Sequence, residues 1–177
     1  MRNAKRYALI IVVLITCIGC DQATKTMATA FLPPSQTISI LGDTFRLQLA
    51  HNQGGFLSLG AALPDTWRQG IFSFGVAAML LGLLGYALFA KSAPASVAFA
   101  YALLFAGGAS NLADRLRHGG YVVDFLNFGL GPLRTGIFNV ADMAITAGAL
   151  ILVTGMFRNK RTEIKGVNER NALRRMS

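Results

Sequence analysis

Four apolar stretches, each close to the length of a membrane-crossing helix, constrain the fold of this chain more than any other feature. They cover residues 7–31, 67–90, 94–112 and 136–157. A helix needs about 20 apolar residues to cross the hydrocarbon layer of a bilayer. The composition agrees, because 14% of the residues are charged, whereas soluble domains carry roughly 25%. We therefore expect one integral membrane domain over residues 1–157, followed by a basic cytoplasmic tail at 158–177.

The distribution of basic residues predicts how the spans are oriented. Four spans place both termini on the same side of the membrane, and a cytoplasmic location for both leaves eleven Lys and Arg residues inside and six outside. This excess agrees with the positive-inside rule. All six aspartates then lie in outer loops or near the outer ends of helices. The net charge of +9 is concentrated at the two ends of the chain, beside apolar segments, which indicates membrane orientation and no nucleic-acid partner.

The segment between the first two spans, residues 32–66, is too long for a simple turn and has a strand-like pattern. Apolar residues alternate with other residues on both sides of the turn dipeptide Gly42-Asp43; they are Ile38, Ile40, Phe45, Leu47 and Leu49. We expect a small β-hairpin lying on the outer surface of the membrane. The predicted fold class is an all-α membrane protein with four transmembrane helices, both termini cytoplasmic, and this hairpin as an outer cradle between helices 1 and 2.

Residues 14–25, LITCIGCDQATK, allow a second interpretation as the cleaved signal of a bacterial lipoprotein, because a basic start and an apolar run precede Cys20. Such a signal would be followed by a soluble domain, which the three later spans contradict. Packing is the expected role of Cys17 and Cys20. A zinc site would need two more ligands, and His51 and His118 are distant in sequence. Packing is therefore favoured over a zinc site for these cysteines.

Carboxylates near the ends of the spans are the candidate functional groups, because a carboxylate at membrane depth costs about 2.5 to 3.5 kcal/mol on insertion scales. Asp21 has Lys25 one helical turn away, so an ion pair is expected. Asn111, Asp114 and Arg115 share a helix face, and this spacing permits a local polar network.

Asp124 and Asp142 lack such local partners. Asn139, Asp142 and Thr146 form a polar stripe on an apolar helix, and Asp124 follows two valines in an extended segment. If the two carboxylates face each other they would share one proton, because two close negative charges cannot both persist in a low-dielectric site. One carboxylate can then act as a base on a bound water while the other acts as an acid.

Three functions remain open on these residues alone. The chain contains no GxSxG, no HExxH and no phosphate-binding glycine-rich loop, so the chemistry is carboxylate chemistry. The first candidate is a protease with a catalytic pair of aspartates. The second is a small transporter or proton relay that uses the same aspartates. The third is a scaffold in which the aspartates are structural. A relay needs ionisable groups through the membrane depth, whereas the aspartates of this chain sit toward one face, which favours the enzyme.

Five short motifs, in this order, resemble those of the lipoprotein signal peptidase family, also called signal peptidase II. They are DQATK at 21–25, NQGGFLS at 52–58, GGASNLADR at 107–115, VVDF at 122–125 and FNVAD at 138–142. The resemblance implies a membrane aspartyl endopeptidase that removes the signal peptide of diacylglyceryl-modified bacterial prolipoproteins, cutting just before the lipidated cysteine. It also implies a multi-pass protein of the bacterial cytoplasmic (inner) membrane, with its active site at the outer face and no metal or organic cofactor.

By position, the resemblance makes Asp124 and Asp142 the catalytic pair. The residues implied to shape the site or bind substrate are Asp21, Lys25, Asn52, Gly54, Asn111, Asp114, Arg115 and Asn139. The expected partners are prolipoprotein substrates and membrane lipid, and we expect a monomer. The chain departs from the family pattern at Gly55, Phe56 and Leu57, at Ser110 where glycine is common, and at Met143 where serine is frequent; we expect these changes to affect substrate preference.

Overall fold

The computed structural model describes residues 3–54, 62–64, 66–67, 70–89 and 94–157. Four α-helices and four strands are defined: α1 Asn3–Phe31, β1 Ile38–Ile40, β2 Phe45–Asn52, α2 Val76–Phe89 (preceded by a one-turn π-helix, Gly70–Gly75), α3 Ala95–Arg117, β3 Val122–Leu130, β4 Leu133–Arg134 and α4 Val140–Phe157. The predicted basic tail at 158–177 and the departures at Gly55, Phe56 and Leu57 lie outside the described residues.

Three of the described helices are long and apolar enough to cross a membrane. They are Ala4–Phe31 of α1, α3 and α4, and they correspond to the first, third and fourth predicted spans. The third predicted span ends at 112, but α3 continues to Arg117, so its polar residues remain helical. The second predicted span contains the shorter apolar helix Ser73–Phe89.

Close helix packing brings α3 and α4 together along their length. A Cβ at Gly107 of α3 would collide with the carbonyl oxygen of Ala141, and one at Gly148 of α4 would lie 2.7 Å from the carbonyl oxygen of Ala100. Glycine at these two positions therefore permits backbone contact between the helices. The cysteines differ, because Cys17 packs against the core beside Ile10 whereas Cys20 is exposed.

Arg6 connects the beginning of α1 to the end of α2. Its buried guanidinium donates from Nε and Nη2 to the carbonyl oxygen of Ala87, at 3.0 and 2.8 Å. A cation at the C-terminal end of a helix interacts favourably with carbonyls that have no partner within the helix. The start of α1 thus lies beside the end of α2, and the two helices run in opposite directions.

The β-structure is larger than the predicted hairpin. The hairpin of β1 and β2 is present, with its turn at Leu41, Gly42 and Asp43 in positive φ. However, β2 also pairs with β3, and the antiparallel sheet has the order β1-β2-β3-β4. The all-α prediction with an isolated hairpin is therefore incomplete. The physical reason is that a two-stranded hairpin is marginally stable, and β3 pairs with the hydrogen-bonding groups along β2 that would otherwise be left open.

Each face of this sheet has its own chemistry. The register places one set of apolar residues on the same face: Ile38, Ile40, Phe45, Leu47, Leu126, Phe128, Leu130 and Leu133. The opposite face carries Ser39, Arg46, Asn127 and Arg134. Leu47 and Leu126 pack against Ala28 and Leu32 at the C-terminal end of α1. The sheet is thus fixed to the helices at one end of its apolar face.

Candidate active site

Asp124 is the third residue of β3, opposite Ala50 of β2, with 1% of its surface exposed. Each of its carboxylate oxygens accepts a hydrogen bond from a side-chain amide. Asn52 Nδ2 donates to Oδ2 at 2.9 Å, and Asn139 Nδ2 donates to Oδ1 at 2.6 Å. The sheet therefore supplies both Asp124 and Asn52, since Asn52 is the last residue of β2.

Asp142 lies in the first turn of α4, where backbone N–H groups have no partner within the helix. Asn139 precedes the helix and accepts a hydrogen bond from Asp142 N at its Oδ1, at 2.9 Å. In return, Asn139 N donates to Asp142 Oδ2 at 3.3 Å. This reciprocal arrangement is a capping box. The other oxygen of Asp142 accepts from Asn111 Nδ2 of α3 at 2.9 Å.

The two aspartates, 18 residues apart in sequence, line the same cavity. It has a volume of about 160 Å³, and its polar lining also includes Asn52, Asn111 and Arg115. Asn139 bonds to both carboxylates. The space exceeds the volume that a bound water needs, so a water and a reacting group can occupy it together.

The amide orientations in this site are determined by their partners. Lys25 Nζ, which can only donate, lies 2.8 Å from Asn111 Oδ1. The Nδ2 group of Asn111 must therefore face Asp142. Asn139 is restricted in the same way, because its Oδ1 accepts from the backbone and its Nδ2 is left to donate to Asp124.

Lys25 is the centre of a buried polar cluster beneath the cavity. Its Nζ lies 2.7 Å from Asp21 Oδ2 and 2.8 Å from Asp114 Oδ2, and all three side chains are buried. The predicted ion pair of Asp21 and Lys25 is confirmed. Because burial removes water from each charge, the cluster is stable only while these charges remain paired.

The polar residues at the end of α3 bond mainly to other elements. Asp114 accepts from Gln22 Nε2 of α1 at 2.8 Å and from Val123 N of β3 at 3.2 Å. Arg115 Nη2 donates to the carbonyl oxygen of Gly54 at 2.5 Å. The helical spacing permits a local network within α3. One contact of this kind is present, from Arg115 Nη1 to the Asn111 carbonyl oxygen at 3.4 Å. These residues thus position β3 and the segment after β2.

Burial raises the pKa of the Asp124 carboxyl to about 7, and the charge of Asp142 acts in the same direction. The amide hydrogen bonds to Asp124 and the charge of Lys25 lower its pKa but do not cancel the effect of burial. Near neutral pH, Asp124 can therefore carry a proton. A carboxyl group that holds a proton beside a second carboxylate is the arrangement required for acid–base hydrolysis.

Several contacts of the site are not predicted by the sequence. Ser110 Oγ donates to Asp21 Oδ2 at 2.7 Å, and Gln22 Nε2 lies 3.0 Å from Ser110 Oγ. The capping box of Asn139 and Asp142 was also missed, although the spacing N-x-x-D was a readable signal for it.

The two histidines are distant in sequence but not in space. The rings of His51 and His118 both stack on Tyr121, with centroid distances of 4.3 and 5.1 Å. Within the described parts of the chain, no group of three or more His, Cys, Asp or Glu side chains is arranged to hold a metal ion.

Helices long enough to span a membrane, a small antiparallel sheet and two buried carboxylates on one cavity define the class of a membrane enzyme with a paired-carboxylate site. Comparisons identify the particular family. A family model described as signal peptidase (SPase) II matches residues 12–158. This chain belongs to the signal peptidase II family.

Curated relatives agree. The chain is 34% identical over 160 residues to a lipoprotein signal peptidase of Desulforapulum autotrophicum, covering 89% of this chain and 97% of that protein. It is 32% identical to a lipoprotein signal peptidase of Mycobacterium avium, covering 86% of this chain and 80% of the relative. A third, from Francisella tularensis subsp. novicida, is 31% identical, and the match covers 85% of this chain and 92% of that protein.

Two solved structures share the fold. A bacterial membrane enzyme solved by the in meso method at 2.3 Å has a TM-score of 0.74 at 23% identity, covering 85% of this chain and 88% of that one. A second, at 1.9 Å, has a TM-score of 0.70 at 23% identity and covers 83% and 91%. None of these similarities supports the transporter or proton-relay alternative.

Proposed function

We propose that Asp124 and Asp142 are the catalytic pair with which this chain, as a signal peptidase II, removes signal peptides from prolipoproteins. The observation that carries the assignment is that both carboxylates line one cavity and both bond to Asn139. The substrate class follows from the family, whose curated members are lipoprotein signal peptidases. The substrate is diacylglyceryl-modified, and the bond cut lies just before the lipidated cysteine.

In the proposed reaction, Asp124 holds the shared proton and Asp142 is the base. Water, held between them, loses a proton to Asp142 and attacks the scissile carbonyl carbon, while Asp124 transfers its proton to the carbonyl oxygen. When the tetrahedral intermediate collapses, the proton on Asp142 passes to the leaving amine nitrogen. Asp124 recovers a proton from the intermediate as the acid product forms. The raised pKa of Asp124 and the two hydrogen bonds that the Asp142 carboxylate accepts from Asn111 and Asn139 support this division.

We propose a single membrane domain over 1–157 with four spans, both termini cytoplasmic and 158–177 as a basic tail. The alternating helix directions support this topology. Asp21 near the outer end of α1 lies beside Ser110 of α3, so these two helices run parallel, whereas Gly107 lies beside Ala141 and Gly148 beside Ala100, so α3 and α4 run antiparallel. The chain is then a protein of the bacterial inner membrane with its active site at the outer face.

The sheet has the role of a cradle over the substrate. Its apolar face points to lipid and its polar face to water, which places the cavity at the boundary where a lipid-bearing peptide presents its scissile bond. Three residues that line the cavity bind the substrate backbone: Asn52, Asn111 and Arg115. Gly54, whose carbonyl oxygen accepts from Arg115, binds it beside the cavity. The protein acts as a monomer, with prolipoprotein and membrane lipid as its partners and no nucleic acid.

The test is cleavage of a purified diacylglyceryl-prolipoprotein by the detergent-solubilised protein, with products identified by mass. Asp124→Asn and Asp142→Asn should each remove activity while leaving the protein folded. Asp43→Asn is the matched control, because Asp43 is an exposed carboxylate at the far turn of the sheet and its loss should leave turnover unchanged. Full activity in either cavity variant would remove the catalytic assignment, and equal cleavage of the unlipidated precursor would remove the proposed lipid requirement.

A further inference from the structure

Asp21 joins three helices through its two carboxylate oxygens. Oδ1 accepts from the backbone N of Ala141, in the first turn of α4, at 2.8 Å. Oδ2 accepts from Ser110 Oγ of α3 at 2.7 Å, and lies 2.7 Å from Lys25 Nζ on its own helix. Both Asp21 and Ser110 are fully buried. A carboxylate is favourable at a helix N-terminus, and this one bonds to the residue directly before Asp142.

The hydroxyl of Ser110 donates its hydrogen bond in a defined direction. Gln22 Nε2 is a donor and lies 3.0 Å from Ser110 Oγ, so the serine oxygen accepts from it and its own proton is left for Asp21. The orientation of Gln22 is fixed in turn, because its Oε1 accepts from Arg117 Nη1 at 2.6 Å. A directed chain of hydrogen bonds therefore runs from Arg117 at the surface to Asp21 in the interior.

Lys25 cannot replace the serine as the directional partner of Asp21. Its ammonium group is shared with Asp114 and Asn111, and it acts as a point charge on a flexible stem. The serine hydroxyl lies on a short side chain of a packed helix, so it fixes the carboxylate plane that directs Oδ1 at Ala141.

We propose that Ser110, which nothing in the family pattern requires, is a positioning residue for the reaction: it orients Asp21, which holds the first turn of α4 and hence Asp142. The inference rests on the proposed catalytic role of Asp142. Small displacements of a catalytic group reduce turnover strongly. Removal of the hydroxyl should therefore affect kcat more than KM, because Ser110 does not line the cavity.

The experiment compares Ser110→Ala, Ser110→Thr and Asp142→Asn in the full-length protein in detergent, with the lipidated precursor as substrate. Ser110→Ala should lower kcat about tenfold, as expected for one hydrogen bond to a charged group, leave KM unchanged and accelerate hydrogen exchange at the Ala141 amide. Ser110→Thr keeps the hydroxyl and should retain more of kcat than the alanine variant. Thr154→Val removes an exposed hydroxyl from the far part of α4 and should match the wild type.

Two results would overturn the inference: wild-type kcat in Ser110→Ala, or an unchanged exchange rate at Ala141. A purely structural serine would instead lower thermal stability and raise exchange across α3 and α4 alike, without the separation of kcat from KM. If Asp142→Asn itself remains active, the proposed function fails. If Asp142→Asn is silent and Ser110→Ala is fully active, the positioning role alone fails.

Discussion

Asn139 and Asp142 exchange two hydrogen bonds across the first turn of α4, Asp142 N to Asn139 Oδ1 at 2.9 Å and Asn139 N to Asp142 Oδ2 at 3.3 Å. The same asparagine donates from Nδ2 to Asp124 at 2.6 Å. Asn139 therefore caps α4 and also links the two aspartates, because it bonds to each of them. The start of α4 is fixed at the position where the carboxylate must lie.

Replacement of Asn139 can separate these two roles. Asn139→Ala removes both, and the lost cap alone should lower the free energy of unfolding by about 1 kcal/mol. Asn139→Ser retains an acceptor for the cap but lacks the amide that reaches Asp124. We expect thermal denaturation to show a smaller loss of stability for serine than for alanine, and the cleavage assay to show a large loss of activity in both. Full activity of the serine variant would contradict the bridging role.

The members of this site could be predicted from the sequence, but most of their partners could not. Each of Asp21, Asn111 and Asp142 stands in a short motif, and the order of the motifs indicates the family. Their contacts join α1, α3 and α4 over 31 to 120 residues of sequence, and helical spacing predicts only contacts one turn away. The ion pair of Asp21 and Lys25 was predictable for that reason, whereas the bond from Asp21 to Ala141 was not.

The pH dependence of turnover should reflect Asp124. Its pKa is raised to about 7, chiefly by burial, so a proton is present for transfer below this pH and is lost above it. We expect kcat/KM, which reports groups of the free enzyme, to fall as pH rises through about 7, measured with the lipidated precursor in detergent. Asp43→Asn should show the same profile, since Asp43 lies outside the cavity. A kcat/KM that stays constant from about pH 6 to about 9 would contradict Asp124 as the proton donor.

The same pKa predicts how stability depends on pH. The unfolded carboxyl titrates near 3.9 and the folded one near 7, so between these values the folded state binds more protons. The stabilising contribution of Asp124 is fully present below about pH 4 and is lost as pH rises to about 7. Asp124→Asn lacks this titration, so its stability relative to the wild type should rise between pH 4.5 and 8, by at most about 4 kcal/mol.

Thermal denaturation of both proteins across this range measures the difference. Asp43→Asn provides the opposite control, because hydrogen bonds from Arg46 and Ser39 hold the pKa of Asp43 well below its usual range. Its contribution is present above about pH 4, so the difference from the wild type should stay constant over the same interval. If the difference in stability between Asp124→Asn and the wild type also stays constant, the pKa of the Asp124 carboxyl is not raised.

Gly107 and Gly108 are neighbours on α3 with different surroundings, which allows a matched comparison. A Cβ at Gly107 would collide with the backbone carbonyl of Ala141 and lie 2.7 Å from Ile145 Cγ1, whereas a Cβ at Gly108 would meet the end of the Leu80 side chain. The backbone of α4 cannot move without displacing Asp142, but a leucine can change its rotamer. Gly107→Ala should therefore destabilise the protein by about 1 to 3 kcal/mol, and Gly108→Ala by less. Equal melting temperatures would contradict the backbone contact.

The sheet shows a second limit of sequence prediction. The alternation in 38–49 correctly predicts the hairpin and its turn, because strand periodicity and Gly42-Asp43 are local signals. The pairing of β2 with β3 joins residues that are 70 or more positions apart, and nothing local indicates it. The sequence predicts that Asp124 lies in an extended segment. It does not predict that this segment pairs with β2, which determines where Asp124 lies in the sheet.

The exposed apolar face of the sheet leads to a prediction about the membrane. Leu130 and Leu133 pair with each other near the edge of the sheet, and they are 67% and 81% exposed. Large apolar side chains in this position are stabilised by contact with the lipid interface, and a charge there opposes it. Leu133→Asp should therefore lower cleavage several-fold in lipid vesicles and leave it nearly unchanged in detergent micelles. Ser39→Asp introduces the same charge on the opposite face and should reduce cleavage less in vesicles. If both variants lose the same activity in vesicles, the apolar face does not contact lipid and the sheet stands away from the membrane.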